Sequence, residues 1–324
     1  MSCLALRKEK ESNPLGMDMD VLIVGSIAYD SVVSPLGHVK DALGGSATYA
    51  GLSCSFHAKR LGLQQVGLVG VVGRDFSEED REILSGSGLN LDGLETAEGE
   101  TFRWSGSYHG TMAEAQTHDT QLNVFEHFEP KVPDEHQAPA ITFCANLHPS
   151  LQSSVLEQAS PKRLSMLDSM NLWIEIARND LIEVMKKVDL VIINDGEVRM
   201  LADDENLIRA ARKVVDMVNV KSLVVKRGEH GVLAFQGDEI ISMPAFPTEK
   251  VVDPTGCGDT FAGSIAAHLA HGNGPLSRDE LRRALLSATV TASFTLESFG
   301  IEGLHSMTNE QYEKRLDSFE KMLR

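Results

Sequence analysis

The sequence predicts an α/β protein: a doubly wound, mostly parallel sheet flanked by helices and carrying a small β lid. Three observations lead there. Solid runs of β-branched and aliphatic residues, among them Val21–Gly25 (VLIVG), Val66–Val72 (VGLVGVV) and Leu190–Asn194 (LVIIN), have the character of strands covered on both faces. Segments with apolar residues at helical spacing alternate with them, which is the rhythm of βαβ units. One aromatic stretch, Thr101–Tyr108 (TFRWSGSY), instead alternates residue by residue, which suits a half-exposed antiparallel strand outside the central sheet.

In chain order, the run at Val21–Gly25 is followed by a polar stretch. Gly44-Gly45 then leads into SATYAGLSCSFHAKRLG, where small and apolar residues recur at helical spacing and Gly62 supplies a stop. After Val66–Val72, Ser77 opens a short acidic helix to Ser85. The alternating strand interrupts this order, so residues 30–43 and 98–128 are expected to form the lid. The order resumes with a strand at Ile141–Ala145, a helix at Leu151–Gln158, a strand at Leu164–Asp168 and one helix across Ile174–Lys187. The strand Leu190–Asn194 and a helix through Glu205–Val218 follow. Leu223–Lys226 and Val232–Phe235 form a strand pair, and helices at Asp259–His271, Arg278–Leu296 and Asn309–Leu323 complete the pattern. Residues 1–17 read as a flexible tail and 18–324 as one body; no internal repeat is visible.

Bulk properties narrow the function. Apolar residues make up 42% and charged residues 24%, a globular balance, and the formal net charge is −17. An acidic surface repels phosphate backbones and anionic lipid, so neither nucleic acid nor a membrane is an expected partner. No apolar stretch reaches the roughly 18 residues of a membrane helix. Cys3, Cys54, Cys144 and Cys257 form no CxxC pair, which suits free thiols and the cytoplasm.

The chemistry is concentrated in Asp253-Pro254-Thr255-Gly256-Cys257-Gly258-Asp259. Two glycines around a small residue, at the mouth of a helix, leave consecutive N–H groups open to an anion. Asp259, an acid inside an anion site, makes sense as a base for an attacking hydroxyl while the amides stabilise a phosphoryl group. Taken alone, the segment reads equally well as a tight turn with a helix N-terminal acid.

This segment resembles the second signature of the ribokinase-like, or PfkB, family of carbohydrate kinases, Asp-Thr-x-Gly-Ala-Gly-Asp, departing from it at Pro254 and Cys257. The resemblance runs from the first strand to the last helices. It implies a ribokinase-like kinase domain over 18–324 that transfers the γ-phosphoryl group of ATP to a hydroxyl of a small sugar or polyol. Asp259 would be the base, and the amides of Gly256, Cys257 and Gly258 the anion hole. Asp253 and Thr255 match positions that in many members help bind a monovalent cation such as K⁺. Asn194-Asp195-Gly196-Glu197 matches the family's Asn-x-x-Glu element, which places Mg²⁺ through water; read from the residues alone, it is also a helix N-cap with a first-turn acid. Lys226, Gly228 and Gly231 match the nucleotide-binding hairpin, although by themselves they describe an ordinary hairpin with a solvated Lys-Arg pair.

On the acceptor side, Asp30 and Gly44-Gly45 match the substrate-binding segment. Tyr49 stands where sugar-kinase members carry Asn, so a ribose- or fructose-like acceptor is in question; the tyrosine reads as stacking on a ring or lining an apolar acceptor wall, and equally as a packed core aromatic. A nucleoside is the alternative acceptor, with Tyr49 and Trp104 as candidate aromatic partners for a base. A non-catalytic ligand sensor is the reading from another class. A nicotinamide dehydrogenase is excluded, because no Gly-x-Gly-x-x-Gly follows the first strand. Asp168 and Asn171 leave a strand at the ligand-facing edge and are candidates for the pocket, and Arg103 and Asn123 lie on the lid; all four read first as caps or surface polar groups, and His148 as structural. Phe102, Trp104 and Tyr108 on an exposed sheet edge would need cover, so a homodimer through the lid is expected.

Overall fold

The computed structural model describes residues 18–324; the expected tail and Cys3 lie outside the described residues. The chain begins with β1 (Val21–Val24), β2 (Ala28–Ser34), β3 (Gly37–Gly44), α1 (Ser46–Leu61), β4 (Val66–Val72), α2 (Glu78–Gly86), β5 (Leu89–Thr96), β6 (Phe102–Tyr108) and β7 (Ala115–Gln121). It continues with β8 (Ile141–Cys144), α3 (Pro149–Gln158), β9 (Leu164–Asp168), α4 (Asn171–Ile176), α5 (Arg178–Met185), β10 (Leu190–Asn194), α6 (Asp195–Ala202) and α7 (Leu207–Val218). The last elements are β11 (Ser222–Lys226), β12 (Val232–Gln236), β13 (Glu239–Met243), α8 (Cys257–His271), α9 (Arg278–Leu296), α10 (Glu302–His305) and α11 (Asn309–Met322).

Nine strands form the central sheet in the order β13-β12-β11-β10-β9-β8-β1-β4-β5. It is parallel from β11 to β5, and β12 and β13 add an antiparallel edge. Every residue of β1, β4, β8 and β9 is buried, as strands with helices on both faces require. One face packs residues of α1, α8, α9 and α11, and the other those of α5, α6 and α7. Among the described residues no helix is long and apolar enough to cross a membrane.

Two helices place the site. Tyr49 meets Gly256 and Ala50 meets Gly263, and farther along the His57 and His268 rings lie 5.0 Å apart. The pairs advance together, so α1 and α8 run parallel and begin at the same sheet edge. Gly263 lets the backbones touch: a Cβ there would overlap the carbonyl of Ala50.

Three expectations change. The single helix across Ile174–Lys187 is two, α4 and α5, because the chain turns out of helical geometry at Ala177 (φ −141°, ψ 33°). Thr101–Tyr108 is not simply antiparallel, since β6 pairs parallel with β2 and antiparallel with β7 in a lid ordered β3-β2-β6-β7. It is therefore an interior strand, and its aromatics are covered within the chain. Phe102 stacks on Phe125 at 5.2 Å, and Tyr108 is buried against Val32 and Met112. The aromatic edge that suggested a partner subunit does not exist. Finally, the expected lid extends too far: Val124 and Phe128 pack with Leu22, Val24, Val69 and Val71 of the central body.

Candidate active site

The parallel strands β9, β10 and β11 end at Asp168, Asn194 and Lys226, with Lys226 opposite Asn194 and Asp168 opposite Ile192, at the edge where open α/β sheets gather ligands. The loop before α8 closes over this edge. Thr255 N donates to Asp253 Oδ1 at 2.9 Å, and Gly256 then takes the left-handed conformation (φ 74°) that turns the chain into the helix. Of the three amides expected to bind an anion, that of Cys257 donates within the loop, to Pro254 O at 3.2 Å. Those of Gly256 and Gly258 have no protein acceptor among the described residues. The Cys257 thiol donates to Ala292 O at 3.7 Å, and burial, then Asp253 and Asp259, push its pKa far up, so it is a packed side chain and not a nucleophile.

Asp259 is on the first turn of α8. Burial pushes its carboxyl up to about 7 and the charge of Asp168 adds to this, while Lys226 and its own amide oppose. That value suits a general base at neutral pH. Lys226 is not the solvated lysine that the hairpin alone suggests. Its Nζ lies 2.9 and 2.8 Å from the two carboxylate oxygens of Asp168, which is only 3% exposed. Burial works to lower the Lys226 pKa, and Asp168, Glu197 and Asp259 outweigh it, so the ammonium stays charged.

Asn194 and Glu197 form a capping box. Asn194 Oδ1 accepts the Glu197 N–H at 2.8 Å, and Glu197 Oε2 accepts the Asn194 N–H at 2.8 Å. The helix-cap reading of this element is therefore correct, and it leaves Glu197 buried. Burial raises that carboxyl to about 8, with Lys226 opposing and Asp168 adding. In the β11–β12 turn, Gly228 and Gly231 both have positive φ (53° and 80°), and a Cβ at Gly231 would overlap the backbone at Met243–Ala245.

On the acceptor side, Asp30 lies in β2, 5% exposed, with Oδ2 accepting the Gly45 N–H at 3.4 Å. Burial raises it to about 7; the Gly45 amide opposes, and Asp253 and Asp259 add. Any side chain at Gly44 would overlap this carboxylate. The structure places Tyr49 as a packed core aromatic that supports the loop. It is 1% exposed, its ring lies under Gly256, and its hydroxyl has no hydrogen-bond partner. Trp104 is the aromatic near the acceptor residue: it is the direct partner of Asp30 in the β2–β6 pairing, half-buried, with Nε1 donating to Thr117 Oγ1 at 3.3 Å. Its ring lies over Gly106, where a Cβ would displace it. The lid reaches the loop through Thr255 Oγ1, which donates to Tyr108 Oη at 3.2 Å. Asp253, buried, receives the Gly300 N–H at 3.4 Å, which brings the 298–303 segment beside it.

A family model described as the pfkB family carbohydrate kinases matches residues 20–305. The chain belongs to the PfkB family. Among curated PfkB-type relatives, the cytidine kinase of Thermococcus kodakarensis is 31% identical over 259 residues, covering 78% of this chain and 90% of that protein. Two solved structures share the fold. A nucleoside kinase of Burkholderia thailandensis in complex with inosine has a TM-score of 0.75 at 17% identity, covering 92% of this chain and 98% of that one. A putative ribokinase II of E. coli in complex with ATP and Mg²⁺ has a TM-score of 0.72 at 18% identity, covering 93% and 99%.

Within this PfkB-family chain, the geometry favours the pocket alternative for Asp168 over a cap or surface group. The signal for it was its place as the last residue of a buried strand leaving at the ligand-facing edge; in the sheet it pairs with Ile192 of β10. Arg103 and Asn123 are structural: Arg103 bridges Asp41 and Asp75 at 3.1 and 2.6 Å, and Asn123 Nδ2 donates to Thr101 O at 2.9 Å. His148 accepts the Ser150 N–H and packs against Trp173, and Asn171 begins α4.

Proposed function

We propose that this kinase transfers the γ-phosphoryl group of ATP to a hydroxyl of a nucleoside. The observation that carries the acceptor reading is Trp104 beside Asp30. A carboxylate able to accept hydrogen bonds from sugar hydroxyls sits one strand from a flat, half-buried indole that suits a planar base. The cytidine kinase relative supports the same reading. A free sugar or polyol is the second reading, because Asp30 with the Gly44-Gly45 approach would hold sugar hydroxyls whether or not a base is attached.

In this proposal Asp259 takes the proton of the attacking hydroxyl late, as the loose transition state of phosphoryl transfer allows. The free amides of Gly256 and Gly258, the α8 N-terminus and the Lys226 ammonium hold the phosphoryl oxygens. Magnesium, when bound with ATP, would neutralise charge on the phosphate chain. The residues fit it through water: Glu197 keeps unused lone pairs and lies in an excess of carboxyl groups. No cluster of three or more His, Cys, Asp or Glu among the described residues offers a metal cage. Asp253 and Thr255, now with Gly300 beside them, are proposed for a monovalent cation.

A screen of nucleosides, sugars, polyols and sugar phosphates with ATP, magnesium and either K⁺ or Li⁺ tests this. Nucleosides should give the highest kcat/KM. A preferred sugar would replace the acceptor reading, and nucleotide binding without turnover on any acceptor would favour a ligand sensor.

A further inference from the structure

Asp168 is more deeply buried than its ordinary chemistry would justify, and its surroundings point at the loop. It closes β9 and Lys226 closes β11, with β10 between them, so the pair spans two strand spacings, about 10 Å. Both carboxylate oxygens engage Nζ, at 2.9 and 2.8 Å. An ammonium has three N–H donors, so one direction remains. A Cβ at Gly258 would lie 3.1 Å from Nζ, which puts the ammonium against the second glycine of the anion loop.

The carboxylate is itself anchored. Its Oδ1 accepts the Ser169 N–H at 2.8 Å, and the Asp168 main-chain carbonyl accepts Gln152 Nε2 at 2.9 Å. Lys226 is also shared unequally: Asp168, Glu197 and Asp259 all act on it, and Asp168 alone is in contact. A pair that served stability alone would gain more from apolar replacement, because burying two charges costs about as much as their attraction returns.

We propose that Asp168 is a positioning residue for phosphoryl transfer: its carboxylate holds the Lys226 ammonium at Gly258, so that a phosphoryl group entering the loop meets a cation already in place. This rests on the phosphoryl-transfer reading above and is independent of which acceptor is used.

The test compares wild type, Asp168→Asn, Lys226→Met and the double variant. Affinity for ADP is measured by calorimetry, KM for ATP and kcat separately, and kcat/KM against pH. Each single change should weaken nucleotide affinity roughly tenfold, and the double variant should be no weaker than Lys226→Met, because the carboxylate acts only through the ammonium. The acid limb of kcat/KM should move to lower pH in Asp168→Asn and to higher pH in Lys226→Met, since these groups push Asp259 in opposite directions. Asp168→Glu keeps the charge but displaces it. It should weaken affinity with the limb in place, and it serves alone if Asp168→Asn does not fold. Wild-type affinity in Asp168→Asn, or additive losses in the double variant, overturns the proposal while leaving phosphoryl transfer standing. A wild type that binds no nucleotide overturns both.

Discussion

Gly256 lies flat against the face of the Tyr49 ring, so close that a Cβ at 256 would overlap three ring carbons. The contact joins the start of α8 to the first turn of α1, and through it the 253–259 loop is seated on α1. Gly256 also needs its positive φ, so two independent constraints demand glycine here. Tyr49→Phe should leave stability within about 0.5 kcal/mol of wild type or raise it, because the buried hydroxyl has no partner to lose. Acceptor KM should be unchanged. A several-fold rise in acceptor KM, measured with stability intact, would return Tyr49 to the acceptor wall.

Asp259→Asn should lower kcat by about 10³, the scale of a lost general base, while ADP affinity by calorimetry stays within a few-fold. In wild type, kcat/KM should rise with pH through an inflection near 7, where Asp259 loses its proton. A pH-independent rate between 5 and 8 would exclude Asp259 as the titrating base.

Stability should follow the opposite course at the same carboxyls. Asp30 and Asp259 are raised to about 7 and Glu197 to about 8, all above their unfolded values. From pH 4 upward the folded chain therefore binds more protons than the unfolded one, and these groups remove stability as pH rises through that window. Relative to wild type, Asp259→Asn should gain at least about 2 °C in Tm above pH 7, with the gain fading toward pH 4. Thermal scans at four pH values would read this directly.

Far from the site, His57 Nε2 bonds Thr291 Oγ1 at 2.8 Å, and His268 Nε2 bonds Ser287 Oγ at 2.7 Å in a buried network that includes Tyr312. Burial, then His268 and Arg60, holds His57 well below its ordinary value, and burial with Arg60, His271 and Arg283, against Glu280, lowers His268 to about 4. Below pH 6.5 the unfolded chain takes up protons that the folded chain refuses, so this network loses stability as pH falls. The advantage of wild type over His57→Gln in chemical denaturation should shrink from pH 7 to pH 5. A constant difference would mean that the imidazole binds protons equally in the folded and unfolded states.

Trp104→Ala should raise KM for a nucleoside acceptor about tenfold and leave KM for ATP unchanged, on the scale of one lost base–aromatic stack. Acceptor-induced quenching of tryptophan fluorescence, measured in a Trp173→Phe background, should disappear with Trp104. An equal loss with free ribose would show that the indole recognises the sugar.

Much of this was readable before any coordinates. The solid apolar runs became β1, β4 and β10 because strands covered on both faces leave no polar alternation to confuse them; Ser77 opened its helix by side-chain capping, and Gly62 ended its own in the left-handed conformation. The loop 253–259 was legible because its glycines and acid are consecutive. β7 was not, since all seven of its residues are exposed and carry no apolar signal, and β2 hid Asp30 in a stretch that reads as polar. The sequence by itself determined seven of the nine central strands, all but β5 and β13, and the position of the glycine loop before α8, because local periodicity and glycine placement are encoded by neighbours. Only the tertiary structure decided that Lys226 is paired with Asp168, that Tyr49 lies under Gly256 and that Trp104 stands beside Asp30. Those relationships join residues 58 to 207 positions apart in the chain, and which distant side chains meet, and how deeply they are buried, is set by packing across strands and helices that no local pattern records.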